Sequence, residues 1–333
     1  MDIKCWMVCA AAALLMLCGC TDLTKFDHAM RSGINILHTP DLSVVHTIDN
    51  ISGARSLCPL PGCFIVMTTE GMLFRFDLES YEQTGSFIIG NPSSSGYFEM
   101  EYSPTESSVY IIGAYGQIIE LHVPDMEIMD SFTICETPVD IEIGTDIELS
   151  HFYVAGATSC KIFEVRLGTN SLFRSCTLPS SPTCMAISQN QDTIIVGTLD
   201  EVEIVSIVTT TMWRRTVDLF PTILAIETIP NDTTFSAVFS NGQTATILNY
   251  IVSLFAPTPL YTGTLNIEGN IHYICAESDG SHVYILSYLG DNISRVVAYN
   301  CRNYFIESQT DLKGYPLDLE ISTGGTLLVL TAE

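Results

Sequence analysis

One phrase returns along this chain at intervals of roughly forty to fifty residues. It consists of a proline, a short alternating strand, a turn, and a strand rich in Val, Ile and Tyr. It reads Pro138-V-D-I-E-I-G with H-F-Y-V-A-G following, Pro182-T-C-M-A-I-S with T-I-I-V-G-T, Pro221-T-I-L-A-I-E with T-F-S-A-V-F, and Pro316-L-D-L-E-I-S with T-L-L-V-L-T. Two copies lack the proline: F-E-M-E-Y-S from 98 with V-Y-I-I-G-A, and I-H-Y-I-C-A from 271 with V-Y-I-L-S-Y. A chain built from such copies buries the faces of each unit against its neighbours, so the period constrains the fold more than any single residue does.

From Gly33 onward apolar and polar residues alternate with period two, broken by Gly, Pro, Asn and Asp, which predicts an all-β body. Apolar residues make up 47% of the chain and charged ones 15%, enough to build a core and too apolar for disorder. After each second strand come two more, as in Q-I-I-E-L-H-V from 117 and D-S-F-T-I from 130, so each unit carries four strands. The units fall at 51–90, 91–135, 136–179, 180–220, 221–266 and 267–313. Residues 314–333 supply two strands, and residues 33–50 match the third and fourth strands of the unit at 51–90. The two ends therefore complete one unit between them. Four-stranded units of this length are the mark of propeller blades, and the expectation is a β-propeller of seven antiparallel blades over 33–333. The shared blade closes the ring and leaves no long unpaired edge.

These units resemble the YVTN-type, quinoprotein-like family of seven-bladed propellers, whose blades run roughly P-x-x-h-A-h-S-x-D-G…h-Y-V. The turn Asp-Gly survives only at Asp279-Gly280, and V-Y-I or F-Y-V replaces Y-V-T-N. Sister families fit worse: there is no G-H…W-D phrase and no S-x-D-x-G-x-x-W box. The resemblance implies the fold and brings no catalytic residue with it.

The first twenty residues carry Lys4, an apolar run from Cys5 to Cys18, and then Gly19 and Cys20. The run suits the apolar region of a secretory signal and is short for a bilayer span. Leu17-Cys18-Gly19-Cys20 resembles a bacterial lipobox, which implies cleavage of residues 1–19 and lipidation of Cys20. Several acyl chains anchor far more firmly than one. The expected address is the bacterial cell envelope, extracytoplasmic, with Thr21 favouring the outer membrane by analogy; residues 20–32 read as a tether.

Asp and Glu number 38 against 13 Lys and Arg, a net charge of −25, which repels phosphate backbones and makes nucleic acid an improbable partner. The sequence contains no C-x-x-C-H, H-E-x-x-H, G-x-S-x-G or G-x-x-x-x-G-K-[ST] phrase. The histidines are scattered singly and read as structural, with His272 noted because it opens an inner strand. Cys58-P-L-P-G-Cys63 sits at a turn where either a local disulfide or two free thiols would fit. The other body cysteines read as buried and free.

Superposing the repeats places Glu99 and Glu101, Asp140 and Glu142, and Asp318 and Glu320 at the same two inner-strand positions. The same alignment places Cys184 and Ala186, or Ile223 and Ala225, there in other units. Alternation would turn the carboxylates toward a central channel and pack Phe98, Met100, Tyr102, Val139, Ile141, Ile143, Leu317, Leu319 and Ile321 between units. Such a channel is either simply water-filled or a site for Ca²⁺ or another divalent cation, or for a cationic ligand, built on Glu101, Glu142 and Glu320. The functional expectation is a lipid-anchored scaffold binding an envelope protein or small ligand. The alternative is a lactonase-like enzyme, which needs cationic and histidine side chains at the channel mouth.

Overall fold

A computed structural model describes residues 31–90, 97–135, 137–144, 151–188, 193–198, 201–207, 213–217, 223–229, 234–240, 244–251 and 265–333. The signal segment 1–19, Cys20 with nearly all of the expected tether, and Pro221 lie outside the described residues. The first strand, Arg31–His38, begins two residues before the expected start of the body. The described residues contain no helix long and apolar enough to cross a membrane.

Every described strand belongs to a four-stranded antiparallel sheet. From the innermost strand outward, and in chain order, the sheets begin with Ala54–Leu60, Tyr97–Ser103, Pro138–Ile143, Pro182–Ile187, Ile223–Thr228 and Asn270–Ala276. In each of these, three further strands follow by simple meander. The remaining sheet begins with Tyr315–Ile321 and Thr326–Ala332 and is completed by Arg31–His38 and Val44–Ser52. Arg31–His38 pairs with the last strand from Ser32 opposite Ala332 to His38 opposite Thr326. The ends of the chain thus share a sheet, as their half-repeats predict.

The innermost strands touch in succession, and Tyr315–Ile321 returns to contact Ala54–Leu60. The core lies between sheets rather than within one. Ile34, Ile36, Leu328 and Leu330 pack on Leu57, Phe64 and Val66 of the next sheet. Cys58, Ile65 and Met67 pack on Met100, Val109 and Ile111, and Tyr153, Ala155 and Ile162 pack on Met185, Ile194 and Val196. A second strand is therefore covered on both faces. This is why Cys63–Thr68, Ser108–Gly113, His151–Gly156 and Thr193–Thr198 are buried at every position and read as continuous apolar or small-residue runs.

The outer strands have no such cover. They are mostly exposed, and several carry a bulge, at Val45, Thr84, Met129, Phe173 and Glu307. A bulge bends and twists an edge so that it makes a poor template for a second sheet edge.

Candidate functional site

A bulge also interrupts every innermost strand, always at the same place. The shifts fall between Ala54 and Ser56, Tyr97 and Glu99, Pro138 and Asp140, Pro182 and Cys184, Ile223 and Ala225, Ile271 and Tyr273, and Pro316 and Asp318. A bulge sets two residues against one on the partner strand and re-aims a side chain. Here consecutive pairs (Arg55 with Ser56, Val139 with Asp140, Thr183 with Cys184, His272 with Tyr273, Leu317 with Asp318) all line one axial cavity of about 460 Å³. Strict alternation had assigned Val139 and Leu317 to the packing between sheets alone; the bulge brings them to the channel as well. Past the bulge Met100, Ile141 and Leu319 are nearly fully buried in the clusters between sheets, as expected, and also border the cavity.

The channel collects Glu99, Glu101, Asp140, Glu142, Asp318 and Glu320, together with Glu227. Glu227 escaped the sequence alignment, which matched Pro221 to the other leading prolines and so offered Ile223 and Ala225. The bulge pairs Ile223 with Pro138 and Pro182 instead, moving the register by two and placing Ala225 and Glu227 at the channel positions.

The two acidic levels do different work. Asp140 accepts a hydrogen bond of 2.6 Å from the Met185 amide, and Asp318 accepts one of 2.6 Å from the Leu57 amide. Met185 and Leu57 occupy equivalent positions of the next inner strand, so each aspartate staples its sheet to the following one. Hydroxyls do the same elsewhere: Thr183 donates to the Ile223 carbonyl and Thr228 to the Ile187 carbonyl, both at 2.8 Å. Glu101, Glu142 and Glu320, one level deeper, have no hydrogen-bond partner among the described residues.

Burial dominates the titration of these groups, with their mutual repulsion added. It pushes Glu101 and Glu227 up to about 8, and Glu99, Glu142 and Glu320 well above the usual carboxylate range. Asp140 and Asp318 rise less, to about 7 and about 6, because the stapled amides favour their charged forms. The neighbouring Asp140 adds to the rise of Glu99, while Glu99 holds Asp140 down. His272, at the mouth, is pushed down to about 4 by burial and is a neutral imidazole at physiological pH. It sits against Tyr273 and edge-on to Tyr315.

Among the described residues no three His, Cys, Asp or Glu side chains converge closely enough to hold a metal ion. The carboxylates are spread around the ring instead. Cys58 and Cys63 are both buried free thiols. Cys58 lies opposite Ile65 and Cys63 opposite Leu60, so the pairing register does not face them together. Cys135, Cys184 and Cys275 are free thiols as well.

A second polar cluster lies away from the channel, in the sheet that begins at Asn270. The Nδ1 of His282 is 3.0 Å from Glu277 and its Nε2 is 2.9 Å from Glu307. Tyr284 donates to Glu277 at 2.6 Å and Asn300 to Glu307 at 2.9 Å. No short motif announces this cluster, because its members come from a turn and three strands.

Sheets that share an axis, pack face to face and line a central cavity with their innermost strands define a β-propeller. Solved structures agree at the level of the fold. A chain of Kuenenia stuttgartiensis hydrazine synthase matches with a TM-score of 0.66 at 13% identity, covering 84% of this chain and 95% of that one. The structure of U3-55K matches with a TM-score of 0.65 at 11% identity, covering 90% of this chain and 98% of that one. No family model matches the sequence, and no curated protein does.

Proposed function

We propose that this chain is a seven-bladed propeller, anchored by lipid on Cys20 at a bacterial cell envelope, and that it is a binding scaffold whose axial channel receives a cationic group. The cavity of about 460 Å³ lined by seven carboxylates is the observation that carries the reading. The return of Tyr315–Ile321 to Ala54–Leu60 supports ring closure, and Leu17-Cys18-Gly19-Cys20 supports the anchor. A spread ring of acids suits an ammonium or guanidinium group better than a divalent ion, which wants several oxygens at once. Titration of the purified protein with an alkylammonium salt at about pH 9, above the values of Glu101, Glu227, Asp140 and Asp318, tests this. Binding heat that disappears in Glu101→Gln, Glu142→Gln, Glu320→Gln triple substitution is expected; no heat from the wild type would end the channel reading. Labelled fatty acid should enter the wild type and not Cys20→Ala.

Arg55 and His272 at the mouth favour a second reading, the lactonase-like enzyme, since they are the cationic and histidine side chains that chemistry would need. Lactone turnover lost in His272→Ala would put it ahead of the scaffold.

A further inference from the structure

The carboxylates alone would accept any cation, but the channel holds one group they do not explain. Arg55 is the bulged residue of Ala54–Leu60 and lines the cavity at the N-terminal end of the inner strands. It is the single Arg or Lys in that lining among the described residues. Among the described residues no carboxylate lies within ion-pair distance of it, although the charge of Arg55 is felt at Asp318 and Tyr273. Other described arginines are matched to carboxylates: Arg295 pairs with Asp311 and Glu268, and Arg174 with Glu164. A half-buried guanidinium kept out of direct pairing in a cavity of opposite charge retains its full fork of donors. Deeper in the same wall, Cys275 is 7% exposed and its thiol has no hydrogen-bond partner among the described residues.

The channel is therefore polar along its length: a free fork at the mouth, with the first carboxylate level one residue further on. A second carboxylate level lies two residues deeper still, about 6–7 Å along the strand. From this juxtaposition we propose that the ligand is a small amine that also bears a carboxylate, an amino-acid-type zwitterion. Its carboxylate is held bidentately by Arg55, and its ammonium points inward to the acidic levels. This rests on the channel reading above and narrows it from any cation to one with an attached anion. His272, neutral and wedged against Tyr273 and Tyr315, supplies an uncharged wall beside the fork.

The test compares pentylamine with 6-aminohexanoate, which differ by one carboxylate, on the full chain by calorimetry at about pH 9. The field of the channel by itself favours pentylamine, because 6-aminohexanoate carries no net charge. Binding of 6-aminohexanoate about tenfold tighter than pentylamine, with that preference lost in Arg55→Gln, is expected. Pentylamine binding equally or more tightly overturns the zwitterion and leaves the cationic channel standing. If neither binds, both readings fail together. The wild-type ratio needs no variant, so a poorly folding Arg55→Gln does not blunt the test, and Arg55→Lys, which keeps the charge and loses the fork, should give an intermediate preference.

Discussion

The axial channel and the His282 cluster are built from the same kinds of side chain and titrate in opposite directions. In the channel, acids gather without a cation in contact, so burial raises every one of them. At His282, burial works against charge too, but hydrogen bonds outweigh it. Ser281, Tyr284 and His282 bring Glu277 below its usual range, Asn300 and His282 do so for Glu307, and the two glutamates raise the imidazole. Partnership decides which way a buried group moves. The channel is thus a place where folding leaves charge uncompensated, and the cluster is a place where it does not. An uncompensated site is where a ligand has most to gain.

The largest expected consequence is in the pH profile. A group whose native pKa is raised above its unfolded value stabilises at low pH and loses that contribution as pH climbs through the native value. For the channel acids that window runs from the ordinary carboxylate range up through about 6 for Asp318, about 7 for Asp140 and about 8 for Glu101 and Glu227. Raised His282 adds a loss on the same alkaline side, above its ordinary pKa. Glu277 and Glu307, being lowered, lose their contribution only as pH falls below the ordinary carboxylate range. The melting temperature should therefore peak in mildly acidic solution and fall by several degrees toward about pH 8.5. A flat or rising profile by scanning calorimetry would mean the channel acids are compensated after all.

Next in size are the staples. Asp140→Ala or Asp318→Ala strands a buried amide of the following strand and should cost about 1–3 kcal/mol in denaturant unfolding. Asp140→Asn keeps an acceptor and removes a like charge, so it should come within about 0.5 kcal/mol of wild type at neutral pH. Equal losses for Ala and Asn would show that the charge, not the acceptor, matters there.

Smaller and opposite in sign is Glu320→Gln. With no hydrogen bond to lose and neighbouring carboxylates to relieve, it should stabilise by about 1 kcal/mol at about pH 8.5 and change little at about pH 5. Destabilisation at the higher pH would reveal a hidden partner for that carboxyl. The mildest change is His282→Gln, which should cost about 1 kcal/mol at about pH 6 and progressively less as pH climbs through the raised value of the imidazole. A pH-independent cost would reduce the cluster to packing.

Much of this architecture is legible in the repeats. The phrase P-x-D-h-E-h at Pro138 and Pro316 marks an inner strand with two polar positions on one side, and both strands lie on the axis. The chain ends can be matched by eye, since residues 33–50 carry only the outer half of a unit and residues 314–333 only the inner half. Six of the channel carboxylates follow from that alignment. Glu227 does not, because proline marks the approach to a strand and not its register: the residue before a bulge is Pro in three inner strands and Ile, Tyr or Ala in others.

The sequence by itself determined the period, the strand content, the joining of the ends and the acidity of the axis, because all of these follow from local alternation repeated at a fixed interval. Only the tertiary structure decided which side of an inner strand faces the channel at its mouth. One inserted residue per strand brings Arg55 and His272 to the cavity, and a one-residue bulge has no compositional mark. It likewise decided which acids are paired. Glu277 and Glu307 lie 5 and 25 residues from His282 and are no different as sequence from Glu101 or Glu320, yet they meet His282 in the folded sheet while Glu101 and Glu320 face other channel acids. Proximity between strands, which sets the sign of a pKa shift, is fixed by register and packing, and neither is written in any single stretch of chain.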